Sequence, residues 1–528
     1  MNPRVVSQAL TTSPLATAAI SGTARPEWYE LVPQDPGAWS ARIDAVRSES
    51  SRDWLSRLAP ALLATGNAKT RLEASAEGRG VVVTTGQQPG LFGGPLYTLT
   101  KALSALALAD ELQRTSGVPV APVFWAATDD TDFKEASATM VNVPGGAQLL
   151  RIEHVGPLGP PMSAMPLGDV AVQLDALRKG AGSTIDVRPL DLLERFYREG
   201  QTVGSAFVDF LRTLFEPLGI AVIDASHPAT RAAAKSILTG ALSNASEIAH
   251  SVAERNRELE EAGFTPQVQD VPGLSLVFST TSGARRRVPI KAAAKQTVTE
   301  DMGPNVLLRP VVERAILPTA VYIGGPAEIA YFAQVSPIAD TLGVPRPTIV
   351  PRWSCTVIEP HVERILEKLH LLPEDLRDPH EAESRIARAR LPKQLLEELN
   401  ATRAFLDERM DALTEAVTAG EAPVSPTVTG GLRANLMRRL DRFERRLVAA
   451  SKRRHSDLMQ EIGTARGSLY PMGKPQERAL NFVPFLARYG EALRDDMLDG
   501  AREHAASLIG TNHASERSEE AVPARGQA

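Results

Sequence analysis

The sequence has little of the residues that carry redox and metal chemistry. Among 528 residues there is one cysteine, Cys355, and there are nine histidines. A single thiol excludes an intrachain disulfide and a cysteine-built zinc site, and it fits work in a reducing compartment, the cytoplasm. No two histidines stand three or four residues apart, so none form a metal-binding pair on one helix face, and no histidine-built metal centre is expected. No run of 18 apolar residues occurs, so no membrane span is expected. Thr11 to Pro14 interrupt the early apolar stretch and with it any secretory signal. Neither sign of charge dominates. The 58 Lys and Arg against 63 Asp and Glu leave a formal charge of −5, which excludes a globally basic nucleic-acid binder. What remains is an average globular composition, 43% apolar and 23% charged, long enough for three or four units at roughly 150 residues each.

Two stretches share one grammar. Val81-Val82-Val83-Thr84-Thr85 is a β-branched run of the kind that a strand buried on both faces needs. The glycine-rich turn Gly86–Pro95 follows, then a helix from Leu96 to about Arg114 with Leu96, Leu99, Leu103 and Leu106 on one face. Gly117-Val118-Pro119 closes it, and Val123-Phe124-Trp125 starts a second strand. Downstream, Ala320–Ile323 reads as a strand, Gly324-Gly325-Pro326 opens a helix reaching Leu342, Gly343-Val344-Pro345 ends it, and Thr348-Ile349-Val350 begins another strand. Strand, glycine turn, helix, strand is the unit of an α/β fold with a parallel sheet, its loops at the carboxyl ends of the strands. The stretch of roughly 140–300 between the two copies reads as a connecting insertion; it holds the strand-like Gly219–Asp224 and the run Arg285-Arg286-Arg287.

From Glu381 the pattern turns charged and leucine-periodic. Leu399, Leu406, Met410, Leu413 and Val417 form one apolar seam; Leu436, Leu440, Phe443, Leu447 and Ala450 form a second. Ala419 to Gly431, with Pro423, Pro426 and two glycines, breaks the helix between them, which predicts an antiparallel coiled-coil hairpin with a solvated, arginine-rich outer face. The expected organisation is a core over 1–380, the hairpin over 381–465, a segment packing back on the core over 466–512, and a disordered tail over 513–528.

Three constellations are candidates for chemistry. In the first turn, glycines let backbone amides approach an anion, and the helix start adds partial positive charge. Gly86, Gln87, Gln88, Gly93 and Gly94 are its candidate contacts, and Tyr97 and Lys101, i and i+4 on the helix, reach the same end. The second is Asp129-Asp130-Thr131-Asp132, directly after a strand, where open α/β sheets bind ligands. Its carboxylates suit Mg²⁺ held through water, an amine, sugar hydroxyls or base work; capping of the next helix is the plain alternative. The third is Gly324, Gly325, Glu328 and Tyr331, which the shared grammar places opposite Tyr97 and Lys101 across one cleft. Gly467–Lys474 imitates a phosphate loop, but five residues rather than four separate its glycines and Pro475 stands where a magnesium-binding hydroxyl belongs; Lys474 is kept as a substrate contact. Cys355 reads as an inert buried thiol.

Five segments resemble the BshC family of bacillithiol biosynthesis: TTGQQPGLFGGPLYTLTKAL (84–103), PVFWAATDDTDFKE (122–135), NVLLRPVVERAILPTAVYIGGPAEIAYFAQ (305–334), GVPRPTIVPR (343–352) and LYPMGKPQERALNFVPFLARYG (469–490). They run in the family's order over most of the chain. The resemblance implies a Rossmann-like core related to nucleotidyltransferases and class I aminoacyl-tRNA synthetases, connecting-peptide insertions, and a coiled coil used for homodimerisation. It also implies joining of cysteine to glucosamine-malate in the last step toward bacillithiol. Arg352, which closes the fourth segment, enters the binding set. The chain departs from the family pattern twice: Thr131 stands where the acidic motif commonly has histidine, and Thr100 where histidine commonly precedes the lysine.

A free carboxylate is a poor electrophile, so ATP is expected to activate the cysteine carboxylate before the sugar amine attacks. The expected roles are phosphate stabilisation by the 86–95 amides and Lys101, amine orientation or deprotonation by Asp130 or Asp132, and substrate holding by Glu328 and Tyr331. Two alternatives stand beside this: a Mg²⁺-dependent nucleotidyl or phosphoryl transferase using the three aspartates, and a non-catalytic assembly protein with a vestigial cleft.

Overall fold

The computed structural model describes residues 2–511 apart from 11–12, 157–158, 281–282, 379 and 421–422; the expected tail over 513–528 lies outside the described residues. The chain divides into two compact units. The larger takes in 2–141, 149–356 and the chain from 477 onward; the smaller takes in 142–148 and 357–476. The helices Pro360–Leu369 and Ser456–Leu469 thus go with the hairpin, which widens that unit beyond the expected 381–465.

Five parallel strands form the centre of the larger unit: β1 (Val81–Gln87), β2 (Val120–Ala126), β3 (Ala221–Asp224), β4 (Thr319–Gly324) and β5 (Ile349–Pro351), in the spatial order β5-β4-β1-β2-β3. The first six residues of β1 are all buried, which explains its unbroken valine run. Between β1 and β2 runs α1 (Leu96–Ser116), closed by Gly117 in the left-handed conformation. The chain moves outward from β1 to β2 to β3, then crosses back to build β4 and β5 on the other side. The order therefore switches between β1 and β4, and a crevice opens there at the carboxyl ends of the two strands. This is the Rossmann-like α/β architecture expected.

Two details differ from expectation. Residues 140–300 are not one insertion, because β3 belongs to the main sheet, paired with β2 from Val123↔Ala221 to Ala126↔Asp224. A small antiparallel sheet, Leu274–Ser279 with Arg286–Pro289 and Met302–Pro304, lies in the second excursion. The helix expected from Pro326 to Leu342 is two, α3 (Pro326–Phe332) and α4 (Ser336–Leu342), because Pro337 lacks an amide hydrogen and its ring would collide with the carbonyl four residues back. Before them stands α2 (Arg309–Ile316).

The smaller unit is helical. Its two long helices are α5 (Lys393–Ala419) and α6 (Pro426–Arg454), linked across the chain by Arg403 to Asp441 and Arg433 to Asp407. The break is shorter than expected: Ser425 caps α6 through the Thr427 amide, Pro426 sits in its first turn, and Gly430 and Gly431 fall inside the helix. Leu399 and Met410 are buried in the seam, but Leu413 and Phe443, both assigned to it, are exposed, and Thr414 and Thr429 meet there instead. In the larger unit, α7 (Val483–Ile509) packs along α1. Among the described residues no helix is long and apolar enough to cross a membrane.

Candidate active site

At the β1/β4 switch lies a cavity of about 290 Å³. Gly86, Gln87, Gln88, Tyr97 and Lys101 reach it from the first crossover, Asp129 and Asp130 from the end of β2, and Gly325, Glu328, Tyr331 and Arg352 from the second crossover. The two glycine-opened units therefore do face one crevice. Trp125, Arg285, Asn305, Arg309, Tyr322 and Arg478 complete its chemistry. Five basic side chains (Lys101, Arg285, Arg309, Arg352 and Arg478) face three acidic ones (Asp129, Asp130 and Glu328), so the lining favours an anionic ligand.

Lys101 is the knot between the crossovers. Its Nζ donates to the Gly86 carbonyl at 2.7 Å and to Gln87 Oε1 at 3.2 Å, and pairs with Glu328 Oε2 at 2.5 Å. Three protons meet three acceptors, so Lys101 holds the walls together and has no donor left for a phosphate. Burial pulls its ammonium below the ordinary lysine range, against the opposing pull of Glu328. On the Glu328 side, burial works to raise the carboxyl, but Lys101 and Arg309 outweigh it and hold the group below its usual range. Glu328 also accepts from Tyr322 Oη at 2.5 Å and from the Gly325 amide at 2.7 Å, capping its own helix.

The glycine turn is less open than expected. The Gly93 amide donates to Gly90 and to Tyr197 Oη, and the Gly94 amide to Leu91. A Cβ on Gly93, which sits at φ +86°, would lie 2.7 Å from the Phe210 ring. Gly93 and Gly94 are packing residues, and their amides are spent inside the protein, not offered to an anion. Gly324 is likewise outside the cavity, with Ile349 close against it. Gln87 bridges Lys101 and Tyr97, its Nε2 donating to Tyr97 Oη at 3.1 Å.

The three aspartates diverge. Asp129 pairs with Arg285 at 2.8 Å. Asp130 accepts from Gln88 Nε2 at 2.5 Å and from the Asp132 amide at 2.7 Å while facing the cavity. Asp132 is exposed, does not line the cavity and accepts from the Glu135 amide at 3.1 Å, so it caps the short helix Phe133–Ala136. Among the described residues no group of three or more His, Cys, Asp or Glu is arranged to hold a metal ion.

Arg352 lines the cavity but is clamped from behind by Glu477, at 2.7 and 2.6 Å, and its guanidinium lies 5.9 Å from the Tyr97 ring centre. It also donates to Thr100 Oγ1 at 3.3 Å, so the threonine at one of the departures from the family pattern touches the site through this arginine. Lys474 is exposed and does not line the cavity. Cys355 is buried, which pushes its thiol well above the ordinary range and makes it inert.

Reading by motif passed over Arg309, Tyr322 and Glu313. Arg309 donates to Tyr331 Oη at 2.7 Å and to Glu313 at 3.1 Å, with its guanidinium 5.1 Å from the Tyr322 ring centre. The available signal is a charged i, i+4 pair, Arg309 and Glu313, flanking the apolar Pro310-Val311-Val312. Arg478 faces the cavity with no ion pair among the described residues.

The family model for the N-terminal Rossmann-like domain of bacillithiol biosynthesis BshC matches residues 8–353, and that for its C-terminal coiled-coil domain matches 355–507. Proteins named "Putative cysteine ligase BshC" are similar along most of their length: one from Koribacter versatilis is 34% identical, covering 79% of this chain and 81% of its own, and one from Solibacter usitatus is 31% identical, covering 79% and 82%. A third, from Salinibacter ruber, is 27% identical over 82% of this chain and 83% of its own.

Proposed function

The chain belongs to the BshC family, and on that footing we propose that it is a carbon–nitrogen ligase of bacillithiol biosynthesis that joins cysteine to the amine of glucosamine-malate. The observation that carries this reading is the cavity at the strand switch, whose lining brings Asp129 and Asp130 together with Arg309, Tyr331, Arg352 and Arg478. Amide formation needs an activated carboxyl and an uncharged amine. ATP supplies the first: the cysteine carboxylate attacks a phosphorus atom and displaces pyrophosphate or ADP. The amine then attacks the carbonyl carbon, and the activating phosphate leaves with the C–O electrons. Asp130 fits the second task, since it faces the cavity and its carboxylate is oriented by Gln88 and the Asp132 amide. Arg478, together with the cavity-facing side of Arg352, suits the developing phosphate charge. Lys101 serves by positioning Gln87 and Glu328. The transferase alternative asks three aspartates to share one cation, and their divergent partners do not favour it.

The test is direct. Purified protein given ATP, L-cysteine and glucosamine-malate is expected to yield bacillithiol by mass spectrometry with stoichiometric nucleotide turnover. Product without nucleotide turnover removes ATP from the scheme and keeps the joining reaction; no product under any nucleotide removes the ligase. Asp130→Asn is expected to lower kcat by about 100-fold or more, the scale of a lost general base. Homodimerisation through the hairpin belongs to the same reading, supported by the exposed Phe405, Leu413, Leu432 and Phe443, and light scattering of the purified chain tests it.

A further inference from the structure

Glu313 is almost fully buried, 2% exposed, one turn beyond Arg309 on α2. It does not line the cavity; Arg309 does. The guanidinium is thus held from behind by Glu313 Oε2 at 3.1 Å and from the side by Tyr331 Oη at 2.7 Å. Its Nε–H has no acceptor among the described residues, so it keeps a donor for the cavity. A buried carboxylate with a single cation shared between it and an anion-binding cavity is poised to exchange partners.

We propose that Arg309 binds a ligand carboxylate in this cavity and that Glu313 is its proton-linked counterion, taking up at most one proton from solvent as the incoming carboxylate replaces it as the partner of the guanidinium. Charge balances: one anion enters beside Arg309, and one buried anion is neutralised. The surroundings of Glu313 fit such an exchange. Burial, with the nearby Glu328 on α3, pushes its carboxyl up to about 7, against the pull of Arg309 and of the Thr84 hydroxyl on β1. Tyr322 on β4 and Tyr331 on α3 complete the polar surroundings of the pair. The helix Pro228–Ser243 also packs on α2, and its Lys235 is exposed. A proton near neutrality is therefore within reach of ligand binding. By reciprocity, whatever proton uptake accompanies the ligand makes its affinity fall as pH rises.

This inference rests on the cavity being the substrate site, not on ATP or on ligation. The ligand chemistry is a carboxylate, present both in an amino acid and in a malyl group, and the test separates the two sources. Calorimetric titration of the full chain with L-malate, L-cysteine and the carboxylate-free cysteamine, in two buffers of different ionisation enthalpy between pH 6 and 7.5, reads affinity and proton uptake together. Proton uptake with L-malate assigns Arg309 to the malyl group; uptake with L-cysteine but not cysteamine assigns it to the amino acid. Arg309→Gln is expected to weaken the responding ligand at least tenfold and to leave cysteamine unchanged. Glu313→Gln is expected to abolish proton uptake and flatten the pH dependence while the variant keeps its circular-dichroism spectrum. Proton-neutral binding in the wild type, unchanged affinity in Arg309→Gln, or no binding of either carboxylate at millimolar concentration overturns the proposal. Product formation by a chain that fails this test leaves the ligase standing; carboxylate binding by a chain that makes no product leaves this inference standing.

Discussion

In the larger unit Arg352 and Glu477 meet with side chains 2% and 9% exposed, whereas in the hairpin Arg403 faces Asp441 and Glu444 with 37% of its own side chain in water. Distances in the two places are similar, between 2.6 and 3.0 Å. Their worth is not. Water competes for each partner in the hairpin, so such pairs sit near zero net stability. Arg352 and Glu477 are buried; such a pair adds little over an apolar substitute, but an abandoned partner is left charged with little solvent. Buried pairs are therefore instruments of placement. Lys101 with Glu328, Arg352 with Glu477, and Arg309 with Glu313 fix where the wall residues stand; the hairpin pairs keep a helical surface soluble.

Breaking the buried side of this comparison has the largest expected effect. Glu477→Gln is expected to cost about 3–5 kcal/mol in denaturant unfolding, because Arg352 keeps its charge and loses its carboxylate. Arg352→Met combined with Glu477→Leu is expected to cost less than either single change; equal or greater loss would show that the pair stabilises outright. Next comes Gly93→Ala, where the new methyl meets Phe210 and Phe482 at an unfavourable φ, with an expected loss of about 1–3 kcal/mol. The matching change in the hairpin reverses sign. Gly430 is helical with nothing within 4 Å of the position of a Cβ, so Gly430→Ala is expected to stabilise by up to about 1 kcal/mol, read as a rise in melting temperature. The smallest effect belongs to Arg403→Ala, below about 1 kcal/mol and shrinking further in high salt. A hairpin arginine that cost as much as Arg352 would collapse the contrast.

Local pattern made much of this legible. Val81–Val83 had to be a buried strand because no other element uses an unbroken β-branched run so economically, and the turn glycines marked where α1 begins. The cavity itself was legible as a place, since Tyr97, Asp130 and Glu328 each follow a strand end. Roles were harder to read. Lys101 looked free for phosphate because its sequence neighbours offer no acid; its acid, Glu328, arrives from the other crossover. Asp132 looked like its neighbours Asp129 and Asp130, yet one residue of rotation in a turn sends it to cap a helix. Arg309 and Glu313 carried only a faint mark in the sequence, and Arg352 gave no hint of the distant glutamate that clamps it.

The sequence by itself determined the five central strands, the first crossover helix, the hairpin and the family, because periodicity, β-branching and turn residues act over a few neighbours. Tertiary structure alone decided which charges are committed and which face a ligand. That outcome depends on desolvation and on partners far apart in the chain, and the cost of burying a charge becomes known only when the opposite charge has been brought to it.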